Sequence, residues 1–384
     1  MVLDDGLPTA TSHDQAELER RVLHIYTTAY ADGFDPQDPD LVLNRKAHAQ
    51  YLAGGLGELP SGFISLDASR AWIVYWIVHS LELLGQPLPA EPDRTSIIQF
   101  LASCQHPEGG FGGGPYQLAH LAPTYAAVAA LVTLGSEDAL SVVDRPKLHA
   151  YLLRMCVPPE RGGGMTMNEG GEVDVRGCYC ALAACEMLGL DKQAIADACG
   201  MVDFIRRCQS HEGGVGGEPW NEAHGGYSFC GLAAAALLGK AHEALDLDRF
   251  LRWAVRCQEL ESCQQHGEAL RCGAATLLAT VPPPEPLPLP EGGERLPQLY
   301  DARALQLWLL KCCQAPPRGG LRDKPGKAAD YYHTCYCLSG LSSSQHYSGI
   351  VLGGQQNLLA PIDPLCNVTA SKLAAARQHF AAQQ

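Results

Sequence analysis

The feature of this chain that most restricts its fold is a repeat of about fifty residues. In four segments, an amphipathic helix that carries leucine and basic residues is followed by a loop rich in glycine and proline, and then by a helix rich in alanine, glycine and cysteine. Fixed periods of this length are typical of repeated helical hairpins. Marker cysteines near the ends of the first helices are spaced 52, 52, 49 and 56 residues apart, at Cys104, Cys156, Cys208, Cys257 and Cys313.

The small side chains of the second helices allow close packing, so we expect these helices to form an inner layer and the first helices an outer layer. Such hairpins stack into an open superhelix or close into a ring. Polar or aromatic residues recur where each inner helix begins, a choice that an open superhelix does not require. We therefore predict an all-α fold, an α/α toroid of the α6–α6 barrel type, whose inner-helix starts surround one cavity. The polar or aromatic residues at the starts of the inner helices are His120, Tyr125, Asp174, Arg176, Tyr179, His224, Tyr227, Asp330, Tyr332 and His333.

The same pattern divides the chain into three parts. We predict an N-terminal extension at residues 1–45, the barrel at 46–345 and a closing segment at 346–384. A proline-rich linker at 281–297 interrupts the repeat inside a degenerate fourth unit.

Charge and composition exclude several classes of protein. The formal net charge is −14, whereas a nucleic-acid-binding protein is expected to be basic. We find neither a secretory signal nor an apolar run of the roughly 18 residues needed for a membrane span, so we expect a cytoplasmic protein without a transmembrane segment. The 16 cysteines of such a chain are expected to be reduced thiols, mostly buried.

Five motifs, in the order in which they occur here, resemble the β subunits of protein farnesyltransferases. The resemblance implies an α6–α6 barrel that pairs with a separate helical α subunit. It also implies transfer of a farnesyl group from farnesyl diphosphate to a cysteine in a C-terminal CaaX motif of a partner protein. The motifs are "LDASRAWIVYWIVHSLELLG" (66–85), "GGFGGGPYQLAHLAPTYAAV" (109–128), "GGEVDVRGCYC" (170–180), "EAHGGYSFCGLAA" (222–234) and "DKPGKAADYYHTCYCLSGLS" (323–342).

The resemblance implies a zinc site. A thiol has a pKa near 8.5 and is a poor nucleophile at neutral pH, and zinc holds it as a thiolate. Three protein ligands would leave the fourth position for the substrate. His333, in the Tyr-His-Thr-Cys motif, matches one family ligand, and the alternative is a histidine that serves only the core.

The resemblance also assigns residues to the two substrates. His224, Lys327 and Tyr332 would act catalytically at the diphosphate, and Asp323 is a candidate ligand for Mg²⁺; the alternative for this last segment is a solvated loop. Asp174 is either catalytic or a helix cap. Trp72 and Tyr336 at the pocket floor would suit a fifteen-carbon chain better than a twenty-carbon one. For the aromatic residues Trp72, Trp76, Tyr125, Tyr179 and Tyr336 the alternative is plain core packing. The predicted substrate-binding residues are Trp72, Trp76, Tyr125, Arg176, Tyr179, Tyr227, Cys230 and Tyr336.

The chain departs from the family pattern after Glu261. The family segment that supplies a zinc-binding aspartate and cysteine, and an arginine, a lysine and a tyrosine for the diphosphate, has no counterpart here. Cys272 is the nearest conceivable substitute, although such residues in a broken repeat are more often on the surface. Cys263, His266 and Glu268 lie close to it in sequence.

The sequence is compatible with several interpretations. One is a skipped exon or a gene-model error, with the real enzyme intact. Another is a genuine variant that has lost metal and activity and is a scaffold that keeps the barrel and the α-subunit interface. A geranylgeranyltransferase type I β subunit is a third. A terpene cyclase shares the barrel but requires an Asp-rich proton donor that we do not find.

Overall fold

The structure, a computed structural model, describes residues 9–29, 41–90, 93–257 and 299–383. Within these ranges the regular secondary structure is almost entirely helical, and the predicted all-α class is confirmed. One short antiparallel hairpin pairs β1 (Ile362–Asp363) with β2 (Val368–Thr369). The α-helices are α1 (Ala10–Ala29), α2 (Arg45–Ala53), α3 (Arg70–Leu83), α4 (Asp93–Ser103), α5 (Leu121–Leu134), α6 (Glu137–Leu140), α7 (Arg145–Arg154), α8 (Val175–Leu188), α9 (Lys192–Ala198), α10 (Met201–Cys208), α11 (Gly225–Leu237), α12 (Ala241–Ala244), α13 (Leu247–Arg256), α14 (Ala302–Trp308), α15 (Tyr331–Ser348) and α16 (Ala370–Ala381).

The inner layer follows a ring. Helices α3, α5, α8 and α11 pack against one another in chain order, and α15 returns to pack against α3. The last inner helix therefore lies beside the first, as a toroid requires. Between α13 and α14 the chain passes through residues 258–298, which lie outside the described residues, as do the predicted linker at 281–297 and the divergent segment after Glu261.

Glutamines at the ends of outer helices connect successive hairpins. The Gln105 side chain accepts a hydrogen bond from the Asp144 N–H and donates one to the Val142 carbonyl, both 2.9 Å long. Gln209 makes the same exchange with the backbone of Asp246. Because each partner lies where the next outer helix begins, the glutamine fixes one hairpin against its neighbour.

The same device closes the ring. Gln314, which follows the π-helical turn Leu309–Cys313, accepts a hydrogen bond of 2.9 Å from the Asn44 N–H and donates one of 3.1 Å to the Val42 carbonyl. Asn44 is the N-cap of α2. Gln314, near the end of the repeat region, thus bonds to the backbone of Val42 and Asn44 at its beginning.

Each inner helix from α5 onward begins with a polar side chain that satisfies a free backbone N–H. The imidazole Nδ1 atoms of His120 and His224 accept hydrogen bonds from the second N–H of α5 and α11. The carboxylate of Asp174 accepts from the second N–H of α8, and that of Asp330 accepts from the third N–H of α15, which belongs to His333. The predicted capping role of Asp174 is therefore confirmed.

A hydroxyl one turn into most inner helices fixes the preceding glycine-rich loop. The Thr124 hydroxyl accepts a hydrogen bond of 2.9 Å from the Phe111 N–H. Ser228 and Thr334 repeat this contact in α11 and α15, with Val215 and Leu321 as partners. These loops consequently hold the cap residues in similar positions around the ring.

The C-terminal segment packs against the inner layer. The β-hairpin packs on α3 and α5, and α16 packs on α5 and α8. The Tyr75 hydroxyl donates to the Asn367 carbonyl (2.6 Å), and the Tyr125 hydroxyl donates to the Cys366 carbonyl (2.9 Å). Inner-layer tyrosines thus meet this segment from inside the ring; the domain boundaries themselves stay predictions.

The cysteines agree with the expectation from sequence. Those in the described part of the chain are free thiols, and most are buried. None of the described helices combines the length and the apolar character that a membrane crossing demands.

Candidate active site inside the ring

Aromatic side chains from all five described inner helices form a continuous row. Tyr336 and Tyr332 belong to α15, Trp76 and Trp72 to α3, and the row continues through α5, α8 and α11. The steps between ring centroids are Tyr336–Tyr332 4.9 Å, Tyr332–Trp76 5.5 Å, Trp76–Trp72 5.7 Å, Trp72–Tyr125 5.6 Å, Tyr125–Tyr179 5.4 Å and Tyr179–Phe229 4.9 Å.

Helical geometry explains part of this row. Tyr125, Tyr179 and Phe229 each follow the cap of their helix by five residues, so all three rings leave their helices in the same direction. Phe229 was missed by the sequence analysis, which selected its neighbours Tyr227 and Cys230. The constant offset from the cap is the signal that identifies it.

The row is apolar and mostly shielded from water. Tyr125 and Tyr179 are buried, whereas Trp72 and Trp76 are half-buried. Burial raises the pKa of Tyr125 and Tyr179 well above the usual value, so both hydroxyls stay uncharged at neutral pH. A wall of this kind suits a hydrocarbon ligand.

His333 adjoins the row through Tyr332, with ring centroids 4.9 Å apart. Its Nδ1 is 2.6 Å from Oδ2 of Asp330, and its Nε2 is 3.8 Å from Oδ1 of Asp323. Burial lowers the pKa of His333, but the hydrogen bond and charge of Asp330 outweigh it, so the net pKa is raised. With Nδ1 occupied by Asp330, Nε2 is the nitrogen left to meet a ligand.

This arrangement fits one zinc ligand and falls short of a complete site. A zinc-bound histidine commonly donates its other ring N–H to a carboxylate, as His333 does to Asp330. Over the described ranges, however, no three His, Cys, Asp or Glu side chains gather closely enough to hold a metal ion. The sequence candidates lie outside the described residues, at Cys263, His266, Glu268 and Cys272.

A second polar group lies at the starts of α8 and α11. The Arg176 Nε is 3.0 Å from Oδ2 of Asp174, and its Nη2 is 3.3 Å from Glu172. The bond to Asp174 raises the pKa of Arg176, which stays charged. The Arg176 guanidinium lies 5.7 Å from the centre of the Tyr227 ring, which is in turn 5.4 Å from the His224 ring.

The remaining predicted residues have different surroundings. Lys327 is exposed and, with Asp14 and Glu17 of α1, lines a cleft of about 440 Å³. Asp323 pairs with Lys324 at 3.2 Å. Cys230 is buried, which raises the pKa of its thiol well above the usual value. The described contacts do not join Lys327 to His224, and the functions assigned to these side chains stay predictions.

Comparison with known proteins identifies the family. The model of the prenyltransferase alpha-alpha toroid domain matches residues 43–368. The protein farnesyltransferase subunit beta of Arabidopsis thaliana is 35% identical, over 97% of this chain and 90% of the relative. The chain belongs to the protein farnesyltransferase β-subunit family. The Schizosaccharomyces pombe farnesyltransferase subunit beta is 37% identical over 78% of both chains.

Geranylgeranyltransferases are more distant from this farnesyltransferase β chain. The geranylgeranyl transferase type-1 subunit beta of Arabidopsis thaliana is 26% identical over 79% of this chain and 86% of the relative. The solved structure of Candida albicans protein geranylgeranyltransferase-I complexed with GGPP has a TM-score of 0.70 at 18% identity. It covers 88% of this chain and 99% of its own, and it confirms the toroid fold.

The alignment also bears on the missing segment. The match to the Arabidopsis farnesyltransferase subunit extends over 440 positions, more than the 384 residues of this chain. That relative therefore contains stretches with no counterpart here.

Proposed function

We propose that this farnesyltransferase β chain binds farnesyl diphosphate inside its ring. With a separate α subunit, it transfers the farnesyl group to the cysteine thiol of CaaX-terminated proteins in the cytoplasm. The observation that carries the proposal is the aromatic row, which crosses every described inner helix and contacts His333 through Tyr332. An apolar wall leading to a polar end matches a lipid diphosphate in shape and chemistry.

The row supplies the binding energy for the lipid. Each buried CH₂ group contributes about 0.8 kcal/mol, so a fifteen-carbon chain gains much from this wall. Trp72 and Tyr336 limit its length, which favours farnesyl over the twenty-carbon geranylgeranyl group. Arg176, held by Asp174, is proposed to face the peptide substrate.

The polar residues would act on the diphosphate. His224, Lys327 and Tyr332 donate to it and offset the negative charge that grows as the C–O bond breaks. Asp323 is the proposed contact for Mg²⁺.

Zinc, when bound, would supply a thiolate from the substrate cysteine. Within the chain, Asp330 holds the proton on Nδ1 of His333 and so directs Nε2 towards the metal position. The other ligands must come from outside the described residues.

The proposal is tested with the chain co-expressed with a farnesyltransferase α subunit. We expect zinc in the purified heterodimer and transfer of labelled farnesyl to a CaaX peptide. His333→Ala should lower both the zinc content and the transfer rate, and His379→Ala on α16 is the matched control that should change neither. A heterodimer with farnesyl transfer insensitive to His333→Ala would contradict the assignment.

An inactive scaffold is the second candidate function. Among the described residues, only His333 fits the role of a zinc ligand. In that case the heterodimer would form but contain no zinc and transfer nothing. A preference for geranylgeranyl diphosphate in direct competition would instead favour the type I enzyme.

A further inference from the structure

The glutamine link between successive hairpins is replaced at one junction of the ring. Gln105, Gln209 and Gln314 each form an isolated antiparallel bridge with a residue of the loop that follows. Cys156, after α7, forms the same bridge with Met165, so it occupies the glutamine position of its own unit. A thiol is shorter than an amide and lacks its separate donor and acceptor atoms. The junction between α7 and α10 therefore needs a different link.

A second cysteine lies at the other side of this junction. Elsewhere the glutamine bonds to the N-cap residue of the next outer helix, which is Asp144 for α7 and Asp246 for α13. The N-cap of α10 is Gly200, and Cys199 directly precedes it as the C-cap of α9. Cys156 and Cys199 thus occupy the two ends of a link that an amide makes in the other units.

The sulfur atoms of these two residues meet at one backbone carbonyl. The Cys156 Sγ lies 3.6 Å from the Ile195 carbonyl oxygen, and the Cys199 Sγ lies 3.3 Å from the same oxygen. The two thiols also hydrogen-bond to each other, and both are free. Thiols in mutual contact can form a disulfide through side-chain rotation, without a large movement of the helices that carry them.

The two thiols differ in exposure and in acidity. Cys156 is half-buried, whereas Cys199 is fully buried. The hydrogen bond from the Cys199 thiol lowers the pKa of Cys156 and outweighs the opposing effect of burial. The same contact, together with burial, raises the pKa of Cys199. Cys156 is therefore the thiol that ionises more readily and the one that an oxidant in solution reaches first.

We propose that Cys156 and Cys199 are a redox-active pair, which hydrogen peroxide converts into a disulfide that fastens the α7–α8 hairpin to the α10–α11 hairpin. The Cys156 thiolate attacks one peroxide oxygen and becomes a sulfenic acid, and the other oxygen leaves as hydroxide, which takes up the proton that Cys156 released. The Cys199 sulfur then attacks the Cys156 sulfur, and the departing hydroxide takes the Cys199 proton. Two thiols are oxidised to one disulfide, and one peroxide is reduced to two water molecules.

This inference does not depend on the proposed function, because neither thiol belongs to the aromatic row or to the polar groups beside it. Two other thiols, Cys178 and Cys185 of α8, interact electrostatically with Cys156 and are the alternative partners. Both are buried, which raises their pKa. Among the described hydrogen bonds, the Ile195 carbonyl that both members of the proposed pair contact is not a partner of either α8 thiol.

Peptide mapping of the peroxide-treated heterodimer tests the proposal. Cleavage after lysine and arginine places Cys156 in the peptide 155–161 and Cys199 in the peptide 193–206, whereas the α8 cysteines fall together in 177–192. After the remaining thiols are alkylated, we expect mass spectrometry to show the first two peptides joined, with the loss of two hydrogen atoms. Dithiothreitol should separate them again. A link from 155–161 to 177–192, or no oxidation of Cys156, overturns the inference.

Two variants separate the steps of the reaction. In Cys199→Ser, Cys156 should stop at the sulfenic acid, which dimedone traps, and the matched control Cys185→Ser should form the same disulfide as the unaltered protein. Dimedone labelling of Cys156 that is equally strong in the unaltered protein and in Cys199→Ser would show that Cys199 does not resolve the sulfenic acid. That result overturns the inference.

The chain itself supplies the second test substitution, Cys156→Gln. Glutamine occupies this position in three other units, so the variant should fold and restore the amide link. Peroxide should raise the melting temperature of the unaltered heterodimer by roughly 3–5 °C, since the disulfide closes a long loop. It should leave the melting temperature of Cys156→Gln unchanged. An equal rise in both proteins, or none in either, contradicts a disulfide that fastens the two hairpins.

Discussion

At the scale of single residues, Asp330 illustrates how a structural and a chemical task share one side chain. Its Oδ1 accepts a hydrogen bond from the His333 N–H and so begins α15. Its Oδ2 holds Nδ1 of the same histidine. The orientation of the His333 ring therefore depends on the residue that caps its helix, and a change in Asp330 acts on both.

Asp330→Asn should lower the pKa of His333, because the amide keeps the cap but removes the charge that raises this pKa. The pKa is measured by NMR titration of the imidazole. A raised folded-state pKa stabilises the protein below the unfolded value of about 6.5, and this contribution is lost as pH rises through the folded value. The stability difference between the two proteins should thus be largest in mild acid. An unchanged pKa for His333 would contradict this account.

His79 should make the protein sensitive to acid. It is fully buried, stacked on Tyr75 at 5.5 Å with its Nε2 beside the Ser339 hydroxyl, and burial lowers its pKa to about 3. Between pH 6.5 and 3 the unfolded state binds the extra proton, so stability falls as pH decreases through this window. We expect protonation of His79 in the unfolded state to lower the free energy of unfolding by about 2 kcal/mol between pH 7 and pH 5.

Urea unfolding at both pH values measures this effect. In His79→Gln the pH dependence of the free energy of unfolding should be smaller by that amount. The partly exposed His379→Gln provides the comparison and should retain the dependence of the unaltered protein. The same slope in all three proteins would show that His79 does not titrate as its burial implies.

At the scale of elements, the hairpins are positioned by short polar contacts that recur from unit to unit. The glutamine that ends an outer helix, the cap of the inner helix and the hydroxyl one turn later each repeat. The small residues of the inner helices let neighbouring segments approach closely: a Cβ on Gly231 of α11 would lie 3.0 Å from the Val215 side chain in the preceding loop and 3.6 Å from Ile205 of α10. Side-chain packing forms the two layers of helices, and the polar contacts fix the position of each hairpin relative to its neighbours.

Gln314→Ala should destabilise the protein by about 2–3 kcal/mol, because its side chain bonds to four groups: the N–H of Asn44, the ring of His48 and the carbonyls of Val42 and Leu310. The free energy of unfolding from chemical denaturation measures the loss. Gln193→Ala, at an exposed position on α9, is the matched control and should change stability by less than about 0.5 kcal/mol. An equally small change in stability for Gln314→Ala would show that the hydrogen bonds of Gln314 do not stabilise the ring.

Much of this arrangement could be predicted from the sequence, for physical reasons that differ between elements. The inner layer followed from small side chains, and the row followed from aromatic residues at recurring places. His120 and His224 were predicted as cavity residues, and the structure shows that their Nδ1 atoms also cap helices. Links such as Gln314 to Asn44 join residues far apart in sequence through a side chain and a backbone group, and no local pattern encodes such a pair.

At the scale of the whole molecule, the fold places the proposed lipid-binding wall inside a chain whose net charge is −14. The field of the protein opposes an anionic ligand, so the diphosphate must be held by local cations. His333 and Tyr332 lie on α15, and Tyr227 and Arg176 lie on α11 and α8. In the sequence, residues 258–298, which lie outside the described residues, separate α11 from α15.

The central claim, that the aromatic row binds the lipid, is tested most directly by calorimetric titration of the heterodimer with farnesyl diphosphate. We predict one ligand per heterodimer and, for Trp76→Ala, binding at least about tenfold weaker because a large part of the wall is lost. Trp220→Gly, in the loop before α11, should leave this affinity unchanged. Failure to bind farnesyl diphosphate, or binding that Trp76→Ala does not weaken, would contradict the account.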